Sequence, residues 1–275
     1  MGATHAWANL AGMDTEMLTP AAAAAAASSP APSRSIRLDG ASNFRDLGGY
    51  AGLDGRRVRW RTLFRADHLA GLSAADLDVL HGLKLARSAD FRGKMESAHL
   101  AYEWPGIARH ALIVEPTVVQ RASALIAAGN DLTAAHAEEL MQDTYRSFVH
   151  DYAPRFAQLF QLLLDSQDPL VFHCTAGKDR TGWAAALLLT ALGVDEDTVM
   201  QDYLLTNQLY QRPATTFAPM PAEVMDVLWR VQASYLAAAT DMVRADFGGM
   251  EGYLRDALGI DSAARERLAA LYLEG

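Results

Sequence analysis

Fourteen consecutive residues, 169–182, constrain the fold of this chain more than any other stretch. Leu170, Val171 and Phe172 make a short apolar run of the kind that forms a buried strand. Residues 183–192 are apolar almost throughout and end at Gly193, which reads as a helix closed by a glycine cap. Between them lies a loop carrying His173, Cys174, Thr175, Ala176, Gly177, Lys178, Asp179 and Arg180, followed by Thr181 and Gly182. A strand feeding a helix through a tight loop places the first helical amides, which lack internal partners, at the mouth of the loop. Those amides and the helix dipole attract an anion such as phosphate. The same field favours the thiolate of a cysteine at the strand end. Arg180 lies six residues beyond Cys174, close enough for its guanidinium fork to return to an anion held above the sulfur.

The segment also excludes chemistries. A nucleotide-binding G-x-x-x-x-G-K-[ST] loop needs Gly where Phe172 stands and Ser or Thr where Asp179 stands. Cys174 is the one cysteine of the 275 residues, so a dithiol couple, an internal disulfide and a cysteine-rich zinc site are all ruled out. No H-E-x-x-H spacing occurs, and neither a metal nor a cofactor is expected. The histidines at 5, 68, 81, 99, 110, 136 and 150 are read as surface or packing residues. A net charge of −9 argues against nucleic-acid binding, which relies on Lys and Arg. No apolar run reaches the ~20 residues of a membrane-spanning helix.

Charge is unevenly placed. Residues 35–100 hold eleven basic and eight acidic residues, while 101–275 hold twelve and twenty-three. Arg34, Arg37, Arg45, Arg56, Arg57, Arg59, Arg61 and Arg65 crowd one stretch. They read either as a solvated hairpin face or as a positive rim attracting an anionic substrate. Residues 1–34 contain an alanine run at 21–27 and a Ser/Pro-rich tail, and are expected to be a flexible leader before a domain spanning 35–275. Without a basic region ahead of the alanines a secretory signal is not indicated. A cytoplasmic protein is expected, with export by a non-standard route left open.

Alternation over 58–65 predicts a half-buried strand. Ser73 and Asp76 have the spacing of a capping box ahead of a short helix ending near Gly82. Strands are expected at 84–91 and 109–114, and helices at 117–128, 131–164 and 223–239. Residues 211–221, with three prolines, read as irregular and, with the helix after them, as a candidate cover for the site. The alternation of strands and helices implies an α/β layer fold.

The loop at 173–182 resembles the H-C-x-x-G-x-x-R-[ST] signature of cysteine-dependent tyrosine phosphatases. The Lys178-Asp179 pair inside it is similar to a narrower branch, the atypical bacterial tyrosine/serine phosphatases that also act on phosphoinositides. Residues 42–49 (Ser42-Asn43-Phe44-Arg45-Asp46-Leu47-Gly48-Gly49), 63–69 (Leu63-Phe64-Arg65-Ala66-Asp67-His68-Leu69) and 202–207 (Asp202-Tyr203-Leu204-Leu205-Thr206-Asn207) resemble further motifs of that branch. The resemblance covers roughly residues 35–275. The chain departs at 87–92, where the branch usually has a more apolar strand ending in Asp-Leu-Arg.

The resemblance implies a three-layer phosphatase fold with a mostly parallel sheet flanked by helices, and a site assigned as follows. Cys174 would attack phosphorus, and Arg180 with the amides of Thr175, Ala176, Gly177 and Lys178 would hold the phosphoryl oxygens. Asp179 would be the general acid, with Asp90 the second choice for the acid or for orienting substrate. Thr181 would donate to the sulfur, His173 would orient the loop, and Lys178 would add charge at the mouth. Phosphorylated proteins or phosphoinositides are the implied substrates, with no statement about oligomeric state. A phosphate-binding module without turnover is the alternative, although binding alone requires neither the thiol nor the acid.

Overall fold

Strand β6 (Leu170–His173) is buried at every residue because it lies in the middle of a five-stranded sheet ordered β1-β3-β6-β4-β5. A strand covered on both faces must be apolar in succession, which is why Leu170, Val171 and Phe172 do not alternate with polar residues. Its neighbours β3 (Leu63–Ala66) and β4 (Arg87–Asp90) run parallel to it, as does β5 (Ala108–Ala111) to β4. The short β1 (Arg45–Asp46) closes the opposite edge antiparallel to β3. A separate ribbon pairs β2 (Arg57–Val58) with β7 (Leu273–Glu274). The structure, a computed structural model, describes residues 32–115, 118, 121, 125, 131–212 and 221–275. The expected leader at 1–34 and the expected helix at 117–128 therefore fall almost wholly outside the described residues, as does most of 211–221.

Parallel neighbours require crossovers, and these form the outer layers. On one face α1 (Ala74–Gly82) packs with Tyr102, Ile107, Phe64 and Val171. Its capping box forms as expected, Ser73 accepting from the Asp76 amide and Asp76 from the Ser73 amide. On the other face lie α3 (Ala134–His150), α4 (Ala153–Asp165), α5 (Asp179–Ala191), α6 (Glu196–Leu209), α8 (Ala233–Phe247), α9 (Met250–Asp256) and α10 (Ser262–Tyr272). They surround Phe172, Trp183, Leu187 and Phe156 in the larger core. Helix α5 is buried nearly all round, which explains an apolar sequence without an amphipathic stripe. The result is the mixed α/β, mostly parallel sheet flanked by helices that the sequence implied.

The strand expected at 109–114 is Ala108–Ala111, and four other expected elements are shorter than anticipated, each for a local reason. The strand at 58–65 is interrupted because Asp46 accepts the amide of Arg61, which sits at φ +62°. The helix at 131–164 breaks at 151–152, and Pro154 lies in the first turn of the next one, where its missing amide costs nothing. The helix at 223–239 splits into α7 (Ala222–Trp229) and α8. There Asn207 takes both backbone groups of Val231, at 2.8 and 2.9 Å, in place of helical partners. The strand at 84–91 shrinks to 87–90 because Lys84 turns the chain at φ +55°.

Candidate active site

Cys174 follows directly on β6, at the carboxyl end of the parallel strands, and is 2% exposed. Loop 174–179 then curls into the start of α5. Its carbonyls are drawn outward by residues far away in sequence. His68 donates its amide to Thr175 O at 3.0 Å, and Asn43 Nδ2 donates to the carbonyls of Ala176 and Gly177, both at 3.1 Å. Arg65 Nη2 also reaches Gly177 O at 3.0 Å. Turning the carbonyls out turns the amides in, which makes a nest for an anion. Gly177 adopts φ +64°, and a Cβ there would lie 2.2 Å from Ala66 O, so no other residue suits the position.

Behind the loop lies a buried charge cluster. Asp202 of α6 takes Arg65 Nη1 at 2.6 Å and Arg45 Nε at 3.1 Å. Arg45 also bonds Asn43 Oδ1 and, at 3.1 Å, Thr206 Oγ1. Burial and then the neighbouring Arg65 lower the Arg45 pKa to about 10, against the pull of Asp202. Asp202 is held well below the usual carboxylate range: the two guanidiniums overcome the cost of its burial. The three motifs at 42–49, 63–69 and 202–207 therefore meet at the rear of one loop. Arg45 and Arg65 are fully buried and Arg34 stacks 3.6 Å from the Tyr50 ring centroid, so these three arginines of the stretch belong to its packing and not to an exposed rim, while Arg37 and Arg57 are exposed.

Arg180 is gripped by a residue the sequence reading passed over. Glu96, on the short α2 (Lys94–His99), accepts from Nη1 at 2.6 Å and Nη2 at 2.9 Å, and from Thr175 Oγ1 at 2.5 Å. The carbonyls of Val114 and Phe91 take Nη1 as well. Burial works against the Arg180 charge, but Cys174 and Glu96 outweigh it and raise its pKa above the ordinary value. Glu96 in turn is held as a carboxylate despite burial, chiefly by Arg180. The available signal was an acid three residues after Gly93, just past a strand end: Glu96 Oε2 accepts the Gly93 amide at 2.7 Å.

Asp179 opens α5 with its side chain 23% exposed, accepting from Tyr145 Oη at 3.0 Å and lying 3.1 Å from Lys178 Nζ. Tyr145 is itself 2.7 Å from Tyr203 Oη, and burial followed by the Asp179 charge keeps its phenol protonated.

Three expectations need correcting. Lys178 is not an exposed cation at the mouth: it is 4% exposed, and its ammonium, 3.1 Å from Asp179, donates to the carbonyls of Leu228 at 2.9 Å and Arg230 at 3.3 Å. Asp90 is buried in an ion pair with Arg92, which disfavours the protonated form a general acid needs. Burial opposes its charge, yet Arg92, which grips both oxygens, and then His173 hold it far below the usual range; Arg109 lies 2.8 Å from the same carboxylate. It is 1% exposed and braces a strand end. Thr181 Oγ1 is buried without a hydrogen-bond partner, so its expected donation to sulfur is not made in this arrangement. His173 is fully buried between Tyr102 Oη, at 2.6 Å from Nε2, and its own neighbour's carbonyl, Cys174 O, at 3.3 Å from Nδ1. Burial lowers its pKa to about 4. Among the described residues no cluster of His, Cys, Asp and Glu could hold a metal ion, and no helix is long and apolar enough to cross a membrane.

A tyrosine-protein phosphatase of Cupriavidus necator, named so by inference, is 38% identical over 98% of this chain and 99% of its own length. The triple specificity protein phosphatase PtpB of Mycobacterium tuberculosis is 30% identical, covering 86% of this chain and 98% of that one. Among solved structures, TpbA of P. aeruginosa matches 74% of this chain and 90% of its own, at 14% identity and a TM-score of 0.40, too slight a likeness to carry an argument. The profile of the tyrosine phosphatase family matches residues 36–274, all of the folded chain around this loop, and the chain belongs to that family.

Proposed function

We propose that this phosphatase hydrolyses phosphate monoesters in two displacements at Cys174. The observation that carries the reading is the convergence of Cys174 and a Glu96-clamped Arg180 on one amide-lined loop. The sulfur attacks phosphorus, the S–P bond forms and the ester P–O bond breaks. Asp179, half-buried at the loop mouth, gives its proton to the leaving oxygen. Water then attacks phosphorus, the S–P bond breaks, phosphate leaves and the water proton returns to Asp179. Arg180 and the loop amides hold the three equatorial oxygens throughout. His173, neutral at ordinary pH, orients the strand end and moves no proton.

Phosphotyrosine is the primary substrate in this reading, with phosphoserine/threonine and phosphoinositides as further substrates. The breadth is supported by the 30% identical relative named for triple specificity. The inward Lys178 removes the mouth cation that would have favoured multiply phosphorylated inositides. The test is phosphate release from an aryl phosphate by Cys174→Ser. Turnover is expected to vanish while phosphate still binds, because a hydroxyl is not ionised by the loop field as a thiol is. Turnover within tenfold of the parent enzyme overturns the covalent mechanism.

A further inference from the structure

Two tyrosines stand behind Asp179 without a part in the mechanism above. Tyr145 comes from α3 and Tyr203 from α6, and both are almost completely buried. The Tyr145 ring is enclosed by those of Phe148 at 5.2 Å, Tyr235 at 5.9 Å and Tyr203 at 6.2 Å between centroids. Packing alone would be served by phenylalanine, since a buried hydroxyl costs free energy unless it is bonded.

The hydroxyls form a directed line. Tyr145 Oη lies 2.7 Å from Tyr203 Oη and 3.0 Å from Asp179 Oδ1. Two hydroxyls bring two protons, and the bond between them uses one. An ionised carboxylate only accepts, so the Tyr145 O–H points to Asp179. The Tyr145 oxygen is then left to accept, and the Tyr203 O–H points to it. Burial, and next the Asp179 charge, hold both phenols well above their ordinary pKa, so their protons stay on them. The backbone makes room for the line: a Cβ on Gly182 would lie 2.9 Å from both Cδ2 and Cε2 of Tyr203, so a glycine in the first turn of α5 lets that ring approach the helix start that carries Asp179. The second Asp179 oxygen has a different neighbour. Oδ2 lies 3.1 Å from Lys178 Nζ, which also donates to the carbonyls of Leu228 and Arg230.

We infer that Tyr145 is a positioning residue for the general acid: its phenol, fixed from behind by Tyr203, holds Asp179 Oδ1 and leaves Oδ2 as the oxygen presented to the leaving group. This rests on the reading of Asp179 as the acid of the first displacement. The proton passes from Oδ2 to the ester oxygen as the P–O bond breaks, and Oδ2 takes a proton back from the attacking water. Tyr145 keeps its own proton in both steps. Its hydrogen bond strengthens as the carboxyl becomes a carboxylate, so the phenol assists the first transfer as well as fixing the plane from which it occurs.

The experiment is a double-mutant cycle between Tyr145→Phe and Asp179→Asn, with Tyr203→Phe beside it. It is read as kcat/KM on phenyl phosphate and on nitrophenyl phosphate. The two substrates share the ring and the phosphoryl group and differ in how badly the leaving oxygen needs a proton. Tyr145→Phe is expected to lose roughly tenfold on phenyl phosphate, the scale of one hydrogen bond to a charged group. On nitrophenyl phosphate it is expected to lose under about twofold, which also reports that the variant is folded. Tyr203→Phe keeps the Tyr145 donor but removes its support, and is expected to lose about threefold on phenyl phosphate alone. In the Asp179→Asn background Tyr145→Phe is expected to cost under about twofold on either substrate, because the group it positions is gone. An equal loss on both substrates, no loss on phenyl phosphate, or a tenfold loss that persists in the Asp179→Asn background overturns the proposal. If Asp179→Asn itself costs no more on phenyl phosphate than on nitrophenyl phosphate, the acid reading and the positioning role fail together. If Asp179→Asn shows that difference and Tyr145→Phe does not, the positioning role fails alone.

Discussion

Within this site single residues divide into those that meet the phosphoryl group and those that aim them, and Glu96 is of the second kind. Its carboxylate takes two of the Arg180 donors and the Thr175 hydroxyl at once. Glu96→Gln keeps the shape but offers one acceptor in place of a two-oxygen anion. It is expected to lower kcat on nitrophenyl phosphate by about tenfold or more, because Arg180 must match the transition state and not merely lie near it. An unaltered kcat in steady-state kinetics would mean that the carbonyls of Phe91 and Val114 aim Arg180 unaided. Asp179 calls for a different measurement. Nitrophenolate leaves without a proton and an alkoxide does not, so Asp179→Asn should cost little on nitrophenyl phosphate and about 10²–10⁴-fold on alkyl phosphates. Equal losses on both would reduce Asp179 to a carboxylate that suits the start of a helix.

Among the elements, α6 contributes most at a distance. It supplies Asp202 and Thr206 to the rear of the loop, Tyr203 to the Tyr145–Asp179 chain, and Asn207 to the joint between α7 and α8. Asp202→Ala leaves two buried guanidiniums without their counter-charge and is expected to cost about 3–5 kcal/mol in urea unfolding. A loss under ~1 kcal/mol would show that the cluster relaxes or admits water. How legible α6 was in the sequence illustrates a general limit. Residues 202–207 stood out as a motif, but nothing in their spacing said that Asp202 would face Arg45 and Arg65, which lie more than 130 positions earlier. The strand–loop–helix at 170–191 was legible because one contiguous stretch contains both the apolar run and the chemistry. Glu96 was not, because a six-residue helix has too few turns for a periodicity to reveal which side it faces. The splitting of α7 from α8 was equally hidden, since side chains of Asn207 and Lys178 replace the helical bonds there.

Taken over the whole molecule, the buried titratable groups set how stability varies with pH. His173 has its pKa lowered from 6.5 to about 4 by burial, opposed by Asp90 and assisted by Arg92 and Arg109. Between those two values the unfolded chain binds a proton that the folded chain refuses, so stability falls as pH drops from 6.5 towards 4. The loss from this one group is on the order of 3 kcal/mol. Asp90, Asp202 and Glu96 are shifted the other way relative to their charge. Their stabilisation is present above their unfolded values of 3.8 to 4.5 and is lost as pH falls towards their lower folded values. Unfolding free energy is thus expected to decline in two stages, the upper one flattened in His173→Gln; a profile unaltered by that substitution would assign the upper stage to another group. The single cysteine has a different use. Because Cys174 is both the only thiol and nearly inaccessible, a thiol-selective alkylating reagent becomes a clock for this site: its incorporation counts the excursions that bare the nucleophile, with no background from other thiols in the chain.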